Sequence, residues 1–147
     1  SFMQKKSKAR EKIENIRREI EENAGQSMNA LQAPELCDLD EENLISEMRF
    51  RKYEWESNER GEVHGGAISA MFDTAMGITV LAYCDSVEIS TADLSVSFIR
   101  PFLGESFIFR SEVIHLGRSL VRVRAIAYDE ASGKTLASAT TNFVHLK

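Results

Sequence analysis

The chain has 147 residues, 43% hydrophobic and 28% charged, with a net charge of −5. That length suits one domain with a real core, and the acidic balance argues against nucleic acid, whose partners show a basic face. Cys37 and Cys84 stand far apart, with no Cys or His at ligand spacing. This predicts reduced thiols in a cytoplasmic protein, with no metal site and no disulfide framework.

Residues 4–24 predict a helix, because Ile13, Ile16 and Ile20 recur at spacings of three and four between charges. Glu14 is expected to face Arg18, and Gly25 to cap the C-terminus. The apolar stripe is thin, so this helix should dock on the main body or on a partner chain. No apolar segment accompanies the charged N-terminus, so no signal peptide is expected. Residues 27–43 read as an acidic, irregular connector with one short turn at most. The chain therefore divides into residues 1–43, helix and connector, and residues 44–147, the main domain.

From Leu44 a strand is expected, with Leu44, Met48, Phe50 and Trp55 set against Ile45, Glu47, Arg49, Arg51 and Tyr53. A loop rich in Gly follows, and then an apolar run from Ala67 to Cys84 with Asp73 near its middle. The run is about long enough to cross a membrane. Asp73 and the amphipathic strands after it predict instead a helix over residues 65–84, buried inside a protein, and no membrane partner. Beyond it the period changes to two. "DLSVSF" alternates Leu94, Val96 and Phe98 with serines, and Pro101 stops it. Phe107, Phe109 and Val113 oppose Arg110 and Glu112; Val121, Val123, Ala125 and Ala127 oppose Arg122 and Arg124. "ASG" at residues 131–133 is a hairpin turn, and "KTLASATTNFVHL" is the last strand.

These elements predict an α+β fold, a curved antiparallel sheet with short turns wrapped around one long central helix. One sheet leaves part of that helix open, and a second copy of the chain is its expected cover.

Gly65 and Gly66 fall at the helix N-terminus, where backbone N–H groups lack intrahelical acceptors and the dipole is positive. Such donors suit an oxyanion. Asn58 offers an amide beside the same helix end, and His64 a ring that donates or transfers protons. Asp73 is a carboxylate in apolar surroundings, where desolvation and hydrogen bonding act in opposite directions, and it is a candidate base or nucleophile. It lies eight residues past Gly65, ~12 Å along one helix. Reacting groups must come within about 3 Å of a shared atom. Two antiparallel copies of the helix achieve this, so a catalytic site predicts at least a dimer.

Asn58-x-x-Gly61-x-x-His64-Gly65-Gly66, with Asp73 seven positions after Gly66, resembles the hotdog-fold acyl-CoA thioesterases of the phenylacetate-pathway type. "TADLSVSFIRP" and "HLGRS" extend the likeness over residues 44–146. The resemblance implies hydrolysis of an acyl-CoA with Asp73 as base or nucleophile. It further implies that the Gly65 N–H and Asn58 polarise the carbonyl, with His64 alongside and the Thr91 hydroxyl positioning water. Gly66 belongs to the same helix start, and Arg118 and Ser119 match a loop that meets the nucleotide of coenzyme A. Phe72, Met76, Phe98 and Trp55 are the expected walls of the acyl tunnel. The resemblance implies no metal or organic cofactor, a homodimer with sites at the subunit interface, and a homotetramer built from such dimers. Two alternatives remain at this point, a non-catalytic acyl-CoA sensor and a hotdog hydratase or dehydratase. The Gly-Gly helix start and Asp73 speak against the hydratase, and the short N-terminal region lacks a helix-turn-helix that a sensor would carry.

Overall fold

The computed structural model describes residues 2–23, 27–85 and 88–146. Helix α1 (Phe2–Glu22) and the short α2 (Met28–Gln32) precede strands β1 (Glu35–Asp40) and β2 (Ile45–Arg51). A single 3₁₀ turn, Glu54–Glu56, leads to the long helix α3 (Gly65–Tyr83). Strands β3 (Ile89–Phe98), β4 (Ser106–Leu116), β5 (Leu120–Asp129) and β6 (Thr135–His145) complete the chain. All six strands form one antiparallel sheet in the order β1-β2-β4-β5-β6-β3. The sheet curves around α3, the architecture that the resemblance implied.

Strand β5 shows why the sheet has an inner and an outer face. Val121, Val123, Ala125 and Ala127 are buried, while Arg122, Arg124 and Ile126 between them are exposed. Successive strand side chains point to opposite faces, so this alternation alone assigns the core side. Opposite β5, β6 places Ala139 beside Ala125 and Ala137 beside Ala127. These small side chains sit in the core where α3 packs, and they leave space for a helix at close range. Larger rings fill the flank: Phe50, Phe72, Phe102, Phe107 and Phe109 are all fully buried.

Helix α3 has the length and composition of a membrane span, yet Ile68, Met71, Phe72, Ala75, Met76, Ile78, Val80 and Ala82 are buried against this chain's own elements. Its one buried hydroxyl, Thr79, donates to the Ala75 carbonyl at 2.8 Å and pairs with Ser46 of β2 at 2.5 Å. Burial of a polar group is tolerated because it is bonded on both sides.

Several expectations need correction. Residues 27–43 do not form an irregular connector. Ser27 caps α2 by accepting from the Ala30 N–H at 3.1 Å, and β1 is an edge strand of the same sheet as β2. Alternation is weak in β1 because as an edge strand it buries only Leu39 fully. Helix α1 does dock on the main body, and it covers part of α3 through Ala9 and Ile13, with Ile16 partly buried. Lys12 also donates to the Cys84 carbonyl at 2.9 Å, a cation at the C-terminal end of α3. Glu14 pairs with Arg17 rather than Arg18, at 3.6 Å. The Gly25 cap lies outside the described residues. Finally, β3 and β4 are not a hairpin: the chain crosses the sheet between them, and β3 ends up at the far edge beside β6.

Candidate functional site

The start of α3 is built by His64. Its backbone is extended (φ −61°, ψ 137°), its carbonyl accepts from the Ile68 N–H at 3.0 Å, and its ring Nδ1 accepts from the Gly66 N–H at 2.9 Å. This is an N-cap performed by an imidazole. Because Nδ1 is the acceptor, the proton of the neutral ring sits on Nε2. The arrangement sorts the two glycines. The Gly66 N–H is used by the cap, whereas the Gly65 N–H has no hydrogen-bond acceptor among the described residues. A Cβ at Gly65 would stand 3.5 Å from the Phe98 ring, an ordinary contact. A groove of about 400 Å³ opens over Gly65, with Asn58, Arg60, Phe98 and Arg100 in its walls.

Asn58 shapes the loop ahead of this helix. Its side-chain oxygen accepts from the Arg60 N–H at 3.0 Å and the Glu62 N–H at 3.2 Å, and its carbonyl accepts from the Gly61 N–H at 3.0 Å. Gly61, at φ 79°, takes the left-handed conformation that such a turn requires. The Arg60 guanidinium, with lesser help from the Asn58 amide, holds the Glu62 carboxyl below the usual carboxylate range. Asn58 thus ties the loop together and also lines the groove.

Asp73 sits in the middle of α3, partly buried, and its Oδ1 accepts from the Thr91 hydroxyl at 2.7 Å. A bulge makes this pairing possible. In β3, Thr91 opposes Phe143 but Asp93 opposes Asn142, so one extra residue lies between them. Without it, Thr91 would share a face with Asp93, Ser95 and Ser97. With it, Ile89 and Thr91 join Leu94, Val96 and Phe98 on the helix side. No hydrogen bond engages Asp73 Oδ2 among the described residues. Replacing Thr91 with valine removes the donor and keeps the shape; about tenfold lower turnover is expected, from the worth of one hydrogen bond to a charged group. Steady-state kinetics on purified variants check it.

The structure separates other candidates. Phe72 and Met76 line no open groove of this protomer: both are fully buried, and Phe72 packs edge-on against Phe109 at 4.7 Å. They face the sheet, because residues one turn apart on α3 share its core stripe. Trp55 is 52% exposed and stacked on Tyr53, while Phe98 borders the groove. Arg118 and Ser119 occupy the exposed β4–β5 turn. There the Ser119 carbonyl accepts from the His145 N–H at 3.1 Å, and the His145 ring lies 3.8 Å from the Cys84 thiol. This turn is therefore at the C-terminal end of α3, opposite Gly65. Both cysteines are free, and among the described residues no group of three or more His, Cys, Asp or Glu is placed to hold a metal.

Two features escaped the sequence. The Thr74 hydroxyl lies 3.0 Å from Asn29 Oδ1 and 3.0 Å from Gln32 Oε1, which fastens α2 to α3 one residue beyond Asp73. Glu56 is 2% exposed, with neither carboxyl oxygen hydrogen-bonded among the described residues. No periodicity marks either contact, because α2 and the turn that carries Glu56 are short, irregular segments.

Comparison with known proteins adds to this geometry. Residues 60–136, just over half of the chain, match the family model described as "Thioesterase superfamily". A Thermoplasma acidophilum protein assigned provisionally as an esterase is 34% identical over 67 residues, 46% of this chain. The chain spans about half (51%) of that relative's length. The PaaI protein of the E. coli phenylacetic acid degradation operon superposes with a TM-score of 0.80 at 13% identity, covering 96% of this chain and 95% of that one. A Streptococcus mutans protein solved with bound acetyl CoA gives 0.67 at 17% identity, covering 76% and 87%.

Proposed function

For a chain that belongs to the thioesterase superfamily, we propose hydrolysis of an acyl-CoA thioester to a carboxylic acid and free coenzyme A, at sites shared between the protomers of an antiparallel dimer. The observation that carries this reading is the division of the chemistry along α3. Asp73, oriented by Thr91, and the unbonded Gly65 N–H stand eight residues apart on one rigid helix, ~12 Å. Neither serves the other within a protomer. A second α3 running antiparallel brings its Gly65 to this Asp73.

Strand β3 supports that assembly. It is an edge strand with an open row of backbone groups, and apolar Phe98 and Ile99 at its end are 54% and 55% exposed. Such an edge invites pairing with another chain. The substrate class rests on the resemblance and on the acetyl CoA held by the Streptococcus mutans protein.

In the proposed reaction Asp73 takes a proton from water as the hydroxyl oxygen adds to the thioester carbon, or adds through its own Oδ2 to form an anhydride that water then cleaves. In either route the carbonyl oxygen becomes an oxyanion, which the partner's Gly65 N–H stabilises by ~2.7–4 kcal/mol if it behaves as a single well-placed donor. Collapse of the tetrahedral species expels the coenzyme A thiolate, which takes up a proton. The Nε2–H of His64, on the same loop, offers a further donor.

Gly65→Pro tests the assignment with little structural cost. Proline is favoured at the first position of a helix, and the extended His64 backbone suits a residue before proline. The substitution deletes the N–H and is expected to lower kcat roughly a hundredfold. Mixed dimers then decide where the site lies. A dimer of one Gly65→Pro and one Asp73→Asn protomer retains one intact site if the two groups act across the interface, and about half of wild-type activity is expected. If both groups act within one protomer, each site is damaged and the mixture stays inactive, which overturns the shared site. Wild-type protein that binds acyl-CoA without releasing thiol across short, medium, long and aryl substrates points to a sensor.

A further inference from the structure

We propose that Glu56 is a positioning residue: protonated, its buried carboxyl lets the 53–64 loop stay closed on the start of α3, and its ionisation loosens the loop that carries Asn58 and His64. The geometry makes Glu56 the base of that loop. Its carbonyl accepts from the His64 N–H at 2.7 Å, its N–H donates to the Tyr53 carbonyl at 3.2 Å, and the next residue, Ser57, bridges Val63. Val63 in turn donates to the Phe102 carbonyl at 3.1 Å, which ties the loop to the segment after β3. Any movement of Glu56 therefore passes through one backbone hydrogen bond to the residue that caps α3.

The side chain is placed where a charge is costly. Glu56 is 2% exposed, and its two oxygens are covered without a hydrogen-bond partner among the described residues. Tyr53, Glu54, Glu59, Arg60, Glu62 and His64 are the other ionisable groups of the same loop, and Lys52, Arg100 and Glu105 those of the flanking segments. Arg60 is engaged by Glu62, Arg100 donates to the Thr135 carbonyl at 2.6 Å, and Lys52 points to the Leu103 carbonyl at 3.5 Å. None of them biases the titration. Burial alone pushes the carboxyl up to about 7. An unpaired carboxylate in this position has no compensation, so the loop must open to hydrate it.

The position of the one tryptophan supplies a direct readout, since Trp55 adjoins Glu56 and is half exposed against Tyr53. The experiment is a fluorescence titration of the full chain from about pH 5 to pH 9, for wild type and Glu56→Gln. The expected result is a one-proton change with a midpoint near 7 in wild type, absent from the variant. Should Glu56→Gln fail to fold, Glu56→Met, neutral and apolar, carries the same expectation. A transition that survives the substitution belongs to another group and overturns the proposal; so does its absence from wild type.

The consequence for catalysis rests on the thioesterase reading. Hydrolysis of an accepted acyl-CoA is expected to fall about tenfold for each pH unit above the midpoint in wild type and to stay level in Glu56→Gln. Identical pH–rate profiles for the two proteins overturn the positioning role. Failure of wild type to hydrolyse any acyl-CoA at any pH instead counts against the thioesterase reading, and the fluorescence result stands apart from it.

Discussion

Replacement of Asp73 with asparagine is expected to lower thioester hydrolysis on the order of 10³-fold or more, because the amide can serve neither as the proposed general base nor as the alternative nucleophile. The substitution is nearly isosteric, and the new amide keeps an oxygen for the Thr91 hydroxyl now bonded at 2.7 Å. The fold should therefore survive, and the loss should appear in kcat rather than in KM. Release of free thiol from an acyl-CoA panel, measured alongside binding of the same acyl-CoAs, checks both parts. Retention of more than about a tenth of wild-type kcat would mean that Asp73 serves structure and not chemistry. The Thr91→Val result fixes the scale, since a donor that only orients the carboxylate must matter less than the carboxylate.

The largest loss of stability is expected from Phe109→Ala, at about 3–5 kcal/mol. Phe109 is fully buried and lies 5.0 Å from Phe50, 4.7 Å from Phe72 and 6.3 Å from Phe102, ring centre to ring centre. It therefore joins β2, α3 and the segment after β3 through edge-to-face and tilted contacts, whose worth adds to plain burial. Three rigid rings cannot collapse into the space left by a fourth, so the cavity persists. Urea unfolding at fixed protein concentration measures the change, fixed because any association between copies would add to apparent stability. A loss below about 1 kcal/mol would show that the aromatic cluster repacks freely.

The two results bear on different parts of the molecule, and the sequence disclosed them unequally. Strands β4 and β5 were readable because each has one wet face, which forces charged and apolar residues to alternate, as Arg110 and Glu112 do against Phe109 and Val113. Helix α3 was readable from its length and apolarity, and the carboxylate at Asp73 stood out against that background. Strand β1 was not, because an edge strand buries too little to leave a pattern. The role of Thr91 was implied only by resemblance. Its true phase depends on a bulge, and one inserted residue reverses every inward and outward assignment without leaving a mark in composition. The burial of Phe72 and Met76 against the sheet leaves no mark either, because apolar side chains look alike in sequence whether they meet a substrate or a sheet.

By itself, then, the sequence determined most of the elements and their order and the central helix, and it singled out the candidate residues Asn58, His64, Gly65 and Asp73. These follow from local properties, namely periodicity, the conformational freedom of glycine and the cost of an acid in an apolar run. Tertiary structure alone decided that α1 covers part of α3, that β3 crosses to the open edge, that His64 consumes the Gly66 N–H and leaves that of Gly65, and that Glu56 is buried without a partner among the described residues. Each of these depends on which distant segments meet. Burial and hydrogen-bond satisfaction are properties of such meetings, and no single stretch of chain contains them.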